Sequence, residues 1–283
     1  MFPALPRFVL IAAIALSGAV PAAISAQAAE SGWDGDPRAA VRLISGGTKV
    51  DDGGPTLRAG VEIRLARGWK TYWRYPGDSG VPPHFDFSKS ENVKSADVLW
   101  PAPERFVEAD GVIIGYRDNV IFPVRIEPKD PGRPVTLRLA LDYAICEKVC
   151  IPVQAKAVLA LKAGGTPAPA VAAAEKSVPR PMPLGANAPL SVKAVHRDNG
   201  TRPERILVDI AAPDAPAVTA FAEGPSADWA LPVPDKIEGA PAGQQRFSFA
   251  LDGLPPGASG KGAELKVTAV AGTEAIETTF RLD

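Results

Sequence analysis

The sequence predicts an all-β protein made of two small β-sandwiches. Its 283 residues include 30 prolines and 26 glycines, and its apolar residues alternate with polar ones in short runs, as in strands. The length favours two domains, and a proline- and alanine-rich stretch separates two sets of runs. A formal net charge of -1 offers no electrostatic basis for binding nucleic acid or an anionic membrane.

The first 28 residues have the features of a secretory signal peptide. Arg7 is the only early charge, residues 8–20 are apolar, and Ala26-Gln27-Ala28 is an A-x-A cleavage site. The apolar run is shorter than the roughly 20 residues that cross a bilayer, and no later run approaches that length. We therefore expect a cleaved signal peptide over residues 1–28 and an exported chain with no membrane span, in a compartment where a disulfide persists.

Eight runs predict the strands of a first domain, residues 29–162. They cover residues 39–45, 56–65, 69–73, 84–87, 93–99, 120–126, 135–145 and 151–161. Residues 163–188 are rich in proline and alanine and predict a semi-extended linker.

A second domain is predicted over residues 189–283. Its expected strands are 190–195, 205–210, 218–222, 246–251, 264–269 and 274–282. Because it contains no cysteine and no paired acidic residues, we expect this domain to dock or position partners.

Both cysteines lie in one segment, Cys146 and Cys150, between two alternating runs. The runs predict a hairpin whose three-residue loop is Glu147-Lys148-Val149. Cys146 and Cys150 then face each other on the side away from the core, where paired residues lie about 4.5–5.5 Å apart. This distance suits a disulfide. The sequence thus predicts an accessible cysteine pair at a hairpin tip.

This pair has a reactive and a structural interpretation. Closing so short a loop stabilises a protein by only about 2 kcal/mol, against about 4.7 kcal/mol for a loop of 100 residues, which favours a reactive pair. A local structural staple and metal binding by two thiolates stay open. Lys148 favours thiolate and Glu147 opposes it, so charge does not identify the attacking thiol.

Other catalytic patterns are missing from the sequence. His84 and His196 fall in different predicted domains, and no serine–histidine–aspartate set, phosphate-binding glycine loop or zinc spacing is present. We therefore expect no cofactor. Copper(I) on the two thiolates is chemically reasonable, but Met182 is the only methionine after residue 28, which excludes a methionine-rich copper relay.

Three motifs together resemble a known family. They are Gly68-Trp69-Lys70-Thr71-Tyr72-Trp73-Arg74-Tyr75-Pro76-Gly77-Asp78-Ser79-Gly80, then Trp100-Pro101-Ala102-Pro103-Glu104-Arg105-Phe106 with Gly115-Tyr116-Arg117-Asp118, and the hairpin from Cys146 to Pro152. In this order they resemble the N-terminal periplasmic domain of the DsbD thiol:disulfide interchange proteins. They look closest to the ScsB-type branch, which is associated with suppression of copper sensitivity.

The resemblance implies an immunoglobulin-like sandwich in the periplasm whose pair Cys146 and Cys150 transfers two electrons, as in a protein-disulfide reductase. Its implied partners are a membrane electron-donor protein of DsbD or ScsB type and periplasmic thioredoxin-fold proteins. The full family protein also has a transmembrane segment and a thioredoxin-like domain, which have no counterpart here. Either those functions lie on other chains, or this chain has lost the electron-transfer role.

The resemblance also implies residues around the cysteines. Tyr72 matches an aromatic position near the family's active site, Tyr116 is a second candidate, and Phe106 resembles a cap that shields the cysteines. We expect the cap in a loop over residues 101–111, and Asp78 first of all in a turn. The competing hypothesis is a non-catalytic interaction protein with a structural disulfide.

Overall fold

A computed structural model describes residues 1, 29–51, 54–78, 80–108, 111–198, 200–213 and 217–283. The predicted signal peptide lies almost wholly outside these described residues. The described chain is almost entirely β-strand with one short helix, and it has the predicted all-β, immunoglobulin-like architecture. None of its described helices is long and apolar enough to cross a membrane.

The first sandwich is built from strands that precede the helix. They are β1 (Asp34–Gly35), β2 (Ala39–Asp51), β3 (Gly54–Leu65), β4 (Lys70–Gly77), β5 (His84–Asp86), β6 (Val93–Val98), β7 (Glu104–Glu108), β8 (Gly111–Arg117), β9 (Asn119–Pro128), β10 (Val135–Cys146) and β11 (Cys150–Leu161). One sheet has the order β1-β2-β3-β9-β6. The other has the order β11-β10-β4-β8-β7, with β5 paired to β10.

The core lies between these two sheets because each strand turns alternate side chains inward. Along β10 the odd-numbered residues predicted to face the core are all buried, from Val135 to Ile145. Facing them, β2, β3 and β9 contribute fully buried residues such as Leu43, Ile63 and Phe122. Apolar and polar residues therefore alternate in the sequence because every second side chain of these strands is buried in this core.

Three strands of the first sandwich were not predicted, the two-residue strand β1 and the neighbouring strands β7 and β8. The segment expected to be a loop over residues 101–111 contains β7, and β8 follows it as the second strand of a hairpin. The consecutive residues Ile113, Ile114, Gly115 and Tyr116 of β8 are all buried, so this strand is covered on both faces. A strand buried on both faces lacks the alternation by which the other strands were recognised.

The predicted linker contains a helix. Helix α1 (Pro169–Lys176) begins with proline in its first turn and continues with alanines, both favourable for helix. Its Val171 is 1% exposed and lies over Gly46, where an added Cβ would come within 2.8 Å of the valine methyl. The helix thus packs on the first sandwich, whereas the composition predicted a semi-extended segment.

The second sandwich is built from strands that follow the helix. They are β12 (Arg180–Pro181), β13 (Ser191–Asp198), β14 (Arg205–Ala211), β15 (Thr219–Glu223), β16 (Asp235–Ile237), β17 (Gln244–Ala250), β18 (Glu264–Ala271) and β19 (Glu274–Arg281). Its sheets have the orders β12-β19-β18-β15 and β13-β14-β17-β16. The short strands β12 and β16 were not predicted.

The two sandwiches pack together along β4. Trp73 contacts Phe221 with ring centroids 5.6 Å apart. The next residue, Arg74, donates two hydrogen bonds to the carboxylate of Glu223, at 2.8 and 2.7 Å. Tyr75 donates a hydrogen bond of 3.0 Å to the carbonyl oxygen of Leu231. Strand β4 therefore belongs to the first sandwich while serving as a docking surface for the second.

Candidate functional site

The cysteine pair closes the end of the hairpin formed by β10 and β11. Cys146 and Cys150 are register partners, with Cα atoms 4.1 Å apart, and a disulfide joins them. The three residues between them, 147–149, are exposed. The placement of the pair across the mouth of a three-residue loop agrees with the sequence prediction.

The two cysteines differ in exposure. Cys150 is exposed, whereas Cys146 is only 4% exposed. The sequence predicted an accessible pair, and for Cys146 the structure corrects that expectation. Cys146 lies on the face away from the main core, as predicted, but a second small cluster covers it there. The members of this cluster are Tyr72, Phe106, Ile113, Ala144 and Cys146.

Tyr72 brings a hydroxyl group to both sulfur atoms. Its oxygen lies 3.1 Å from Sγ of Cys146 and 3.0 Å from Sγ of Cys150. Strand β4 positions it, because Lys70 and Thr71 pair with the end of β10. Tyr72 is 1% exposed, and burial raises the pKa of its phenol. The group therefore stays protonated at neutral pH and can donate a hydrogen bond to sulfur.

Phe106, on the edge strand β7, packs in the cluster that covers Cys146. It is 8% exposed and packs in the same cluster as Tyr72 and Cys146. Two cations lie near its ring, with Lys70 Nζ 5.6 Å and Arg117 Cζ 5.4 Å from the centroid. The aromatic ring thus separates the cysteine cluster from a charged surface.

Tyr116 lies elsewhere. It belongs to the main core, where its ring meets that of Phe122 at 5.2 Å, edge to face. Its hydroxyl donates a hydrogen bond of 2.8 Å to the carbonyl oxygen of Pro101. The structure therefore places Tyr116 under the segment that leads into β7, outside the cluster around the cysteines.

The turn after β4 supports Tyr72 and the β7–β8 hairpin together. Asp78 accepts a hydrogen bond of 2.7 Å from the backbone of Val112, and its own backbone N–H donates to the carbonyl of Val112 at 3.1 Å. Gly80 has a φ of 142°, and a Cβ there would lie 2.3 Å from the Tyr72 ring. Only glycine combines this backbone conformation with so close a contact. Sequence reasoning recognised the turn but not its contact with Tyr72.

Strand β7 is also tied to the second sandwich. Arg105, the neighbour of Phe106, donates a hydrogen bond of 2.9 Å to Oδ1 of Asp235 and one of 3.3 Å to the carbonyl oxygen of Pro234. Because side chains alternate along a strand, Phe106 reaches the cysteines while Arg105 reaches the other sandwich. Nothing in the sequence pattern indicated this link.

Metal-binding side chains do not gather around the site. Within the residues that the structure describes, no group of three or more histidine, cysteine, aspartate or glutamate residues is placed to hold a metal ion. Of the two histidines, His84 pairs with Asp142 and lines the same groove as Cys150, and His196 lies 3.4 Å from the carboxylate of Asp209 in the second sandwich.

Comparison with known proteins identifies the domain that carries this site. Residues 48–162 match the family model described as thiol:disulfide interchange protein DsbD, N-terminal. This part of the chain matches the DsbD N-terminal domain. None of the curated proteins matches the chain in sequence. The family resemblance inferred from the three motifs is thereby confirmed.

The fold of the whole chain also has a solved counterpart. The N-terminal periplasmic domain of ScsB from Proteus mirabilis is similar with a TM-score of 0.68 and 23% sequence identity, over 90% of this chain and 99% of that one. The likeness therefore extends beyond the DsbD N-terminal domain into the second sandwich. A DsbD-type domain with a close cysteine pair fits thiol–disulfide exchange in general.

Proposed function

We propose that this chain is a periplasmic thiol–disulfide exchange module that uses Cys146 and Cys150 as its redox couple. One observation carries the proposal: in a DsbD N-terminal domain, the disulfide presents one exposed sulfur and one buried sulfur, with the Tyr72 hydroxyl beside both. Such asymmetry suits a pair in which one cysteine meets partners and the other completes the reaction.

The exposures assign the two cysteines different steps. In the reduced form, the Cys150 thiolate attacks one sulfur of a partner disulfide, which forms a mixed disulfide and releases the partner's first thiolate. The Cys146 thiolate then attacks the Cys150 sulfur, which restores the Cys146–Cys150 bond and releases the second thiolate. Two electrons pass to the partner, and its two thiolates take up the two protons lost by the cysteines.

Tyr72 supports this exchange as a hydrogen-bond donor. A hydrogen bond to a charged group is stronger than one to a neutral group, so its O–H favours the thiolate over the thiol. Because the tyrosine touches both sulfurs, it can stabilise the charge on whichever sulfur carries it during the two steps. We assign Tyr72 a role in lining the site and Tyr116 only the support of the segment before β7.

Phe106 serves as a cap over Cys146. Exposed thiolates in an oxidising compartment react with small oxidants, and a buried Cys146 is protected from them. The cap must move aside for Cys146 to act on a mixed disulfide held by a bulky partner. An edge strand paired on one side only is suited to such movement.

The second sandwich positions the cap strand. Its Asp235 holds Arg105, next to Phe106, while Glu223 holds Arg74, two residues from Tyr72. Both strands that cover Cys146 therefore contact the second sandwich, for which the sequence predicted a positioning role. The proposal keeps the predicted domain boundaries. These are residues 29–162 for the first sandwich, 163–188 for the linker and 189–283 for the second sandwich.

The proposed partners are a membrane electron-donor protein of DsbD or ScsB type and thioredoxin-fold proteins of the periplasm. The DsbD family match over residues 48–162 and the fold shared with a periplasmic ScsB domain support this choice.

Trapping of a mixed disulfide tests the proposal. In Cys146→Ser, the exposed Cys150 can attack a partner, but no second thiol resolves the product, so a covalent complex should accumulate in periplasmic extract. In the matched variant Cys150→Ser, the buried Cys146 should trap far less. Absence of any complex with either variant, while both remain folded, would support a structural disulfide in an interaction protein.

A further inference from the structure

A groove begins at the exposed cysteine. It has a volume of about 380 Å³ and lies on the outer face of the β10–β11 hairpin, facing the segment that leads into β5. Its lining includes Cys150 and, near it, Ala144, Pro152, Val81 and Pro82. These residues are apolar, and Val81 is 60% exposed although it is a large hydrophobic residue. Exposed apolar surface of this kind marks interaction sites.

The register of the hairpin gives the groove a direction. Cys146 pairs with Cys150, Ala144 with Pro152, and Asp142 with Gln154, so these even-numbered residues share one face. At about 3.3 Å per residue, the distance from Cys150 to Gln154 is roughly 13 Å. The far end is polar, because Gln154 donates a hydrogen bond of 2.6 Å to Asp142 and His84 stands beside them. The groove therefore runs from a reactive sulfur, past an apolar stretch, to a polar end.

The geometry of a mixed disulfide indicates which part of a partner protein lies in the groove. A disulfide holds its two Cα atoms about 4.4–6.8 Å apart, so a partner linked to Cys150 must bring its own backbone beside the mouth of the groove. A stretch of about 13 Å accommodates some four residues of extended chain. The residues that flank the partner's cysteine are thus the chain that is held against Ala144, Pro152 and Val81.

We propose that this groove selects partner segments by apolar side chains adjacent to the reacting cysteine. The inference rests on the proposed exchange function, since it requires a mixed disulfide at Cys150. It commits to an extended segment with apolar residues at the two positions next to its cysteine, on the side that runs along the groove. Such residues bury against the apolar stretch, whereas polar residues at these positions lose hydration without gaining partners there.

Two model peptides test the selection. Each has five residues with a central cysteine activated as a mixed disulfide with a coloured thiol; one has valine and leucine around the cysteine, the other has serine. Reduced Cys146→Ser protein attacks the peptide sulfur through Cys150 and releases the coloured thiolate, whose appearance gives the rate. We expect the apolar peptide to react about tenfold faster, because part of one buried aliphatic side chain supplies that much binding.

Two further substitutions in the same background locate the effect. Val81→Asp puts a charge on the groove wall at an exposed position, and we expect it to reduce the rate ratio of the two peptides to about twofold or less. Val158→Asp makes the same change on the face of β11 that carries Cys150 and Pro152. The site is 52% exposed and does not line the groove, so the ratio should not change. We compare the ratio of the two rates because a negative charge near Cys150 disfavours its thiolate and so slows the reaction with both peptides alike.

The outcomes separate this inference from the exchange function. Equal rates for the two peptides, with Cys150 reactive toward both, would overturn the groove's selectivity and leave exchange intact. A ratio that Val81→Asp leaves unchanged would likewise overturn it. Failure of Cys150 to react with either peptide would overturn the exchange function and this inference together.

Discussion

The hydroxyl oxygen of Tyr72 lies 3.1 Å from Sγ of Cys146, and 74 residues separate the two along the chain. The contact exists because the end of β10, from Ile145 to Cys146, pairs with the start of β4. The same hydroxyl is 3.0 Å from Sγ of Cys150. One buried phenol thus reaches both sulfurs of the pair.

Tyr72→Phe tests the role of this hydroxyl. Without the hydrogen-bond donor, the thiolate of the reduced pair loses a stabilising contact, so the pKa of the reactive thiol should rise by about one unit. The pH dependence of alkylation by iodoacetamide measures this pKa. Tyr116→Phe is the matched control, because it removes a hydroxyl that bonds Pro101 and should leave the profile in place. Identical profiles for Tyr72→Phe and the unaltered protein would remove Tyr72 from the mechanism.

Phe106→Ala tests the cap. Removing the ring exposes Cys146 in the reduced protein, and its alkylation should become roughly tenfold faster, as expected when a buried thiol becomes accessible. Mass spectrometry of quenched samples separates the two cysteines. Val107→Ala, at an exposed position on the same strand, is the control for general loosening of β7. An alkylation rate of Cys146 that does not change in Phe106→Ala would contradict the cap.

Asp235→Asn tests the brace between the second sandwich and the cap strand. It removes the charge from the ion pair with Arg105, and a partly exposed pair of this kind contributes about 0.2–1 kcal/mol. Alkylation of Cys146 should therefore rise about 1.4- to fivefold, while the reduction potential stays unchanged. Glu274→Gln, which removes an exposed ion pair with Arg180, is the control. If both variants behave alike, the second sandwich does not control access to the cysteines.

All four tyrosines are expected to resist ionisation. Burial raises the pKa of Tyr72, Tyr75 and Tyr116, and raises that of Tyr143 to about 12. Above about pH 10 the unfolded chain therefore loses phenolic protons that the folded chain keeps, so stability should fall as the pH rises through this range. Ultraviolet absorbance should show little phenolate in the folded protein at pH 10.5 and ionisation of the tyrosines when it unfolds. Ordinary titration near pH 10 in the folded protein would contradict the burial.

The cysteine hairpin was predictable because its information is local. Alternation along β10 gives the buried face, and the three-residue loop gives the register of Cys146 and Cys150. The exposure of Cys146 was not predictable in this way, because Tyr72 and Phe106 cover it from strands distant in the chain. Strand β8 escaped prediction since burial on both faces removes alternation.

The contacts between the two sandwiches could not be predicted from the sequence either. Arg74 and Arg105 look like ordinary solvent-facing residues of a strand, and only the packing of the second sandwich shows that Glu223 and Asp235 hold them. The helix in the predicted linker is an intermediate case. Its alanines favour helix, but Val171 needed a surface on the first sandwich to make that helix stable.

The reduction potential of the Cys146–Cys150 pair tests the central claim most directly. It is obtained by equilibrating the purified protein with glutathione or thioredoxin buffers and counting the free thiols. An exchange module must lie within reach of its partners, so we expect a potential between about -300 and -180 mV. A potential far below about -300 mV would mark a reduction-resistant structural disulfide and contradict the exchange function.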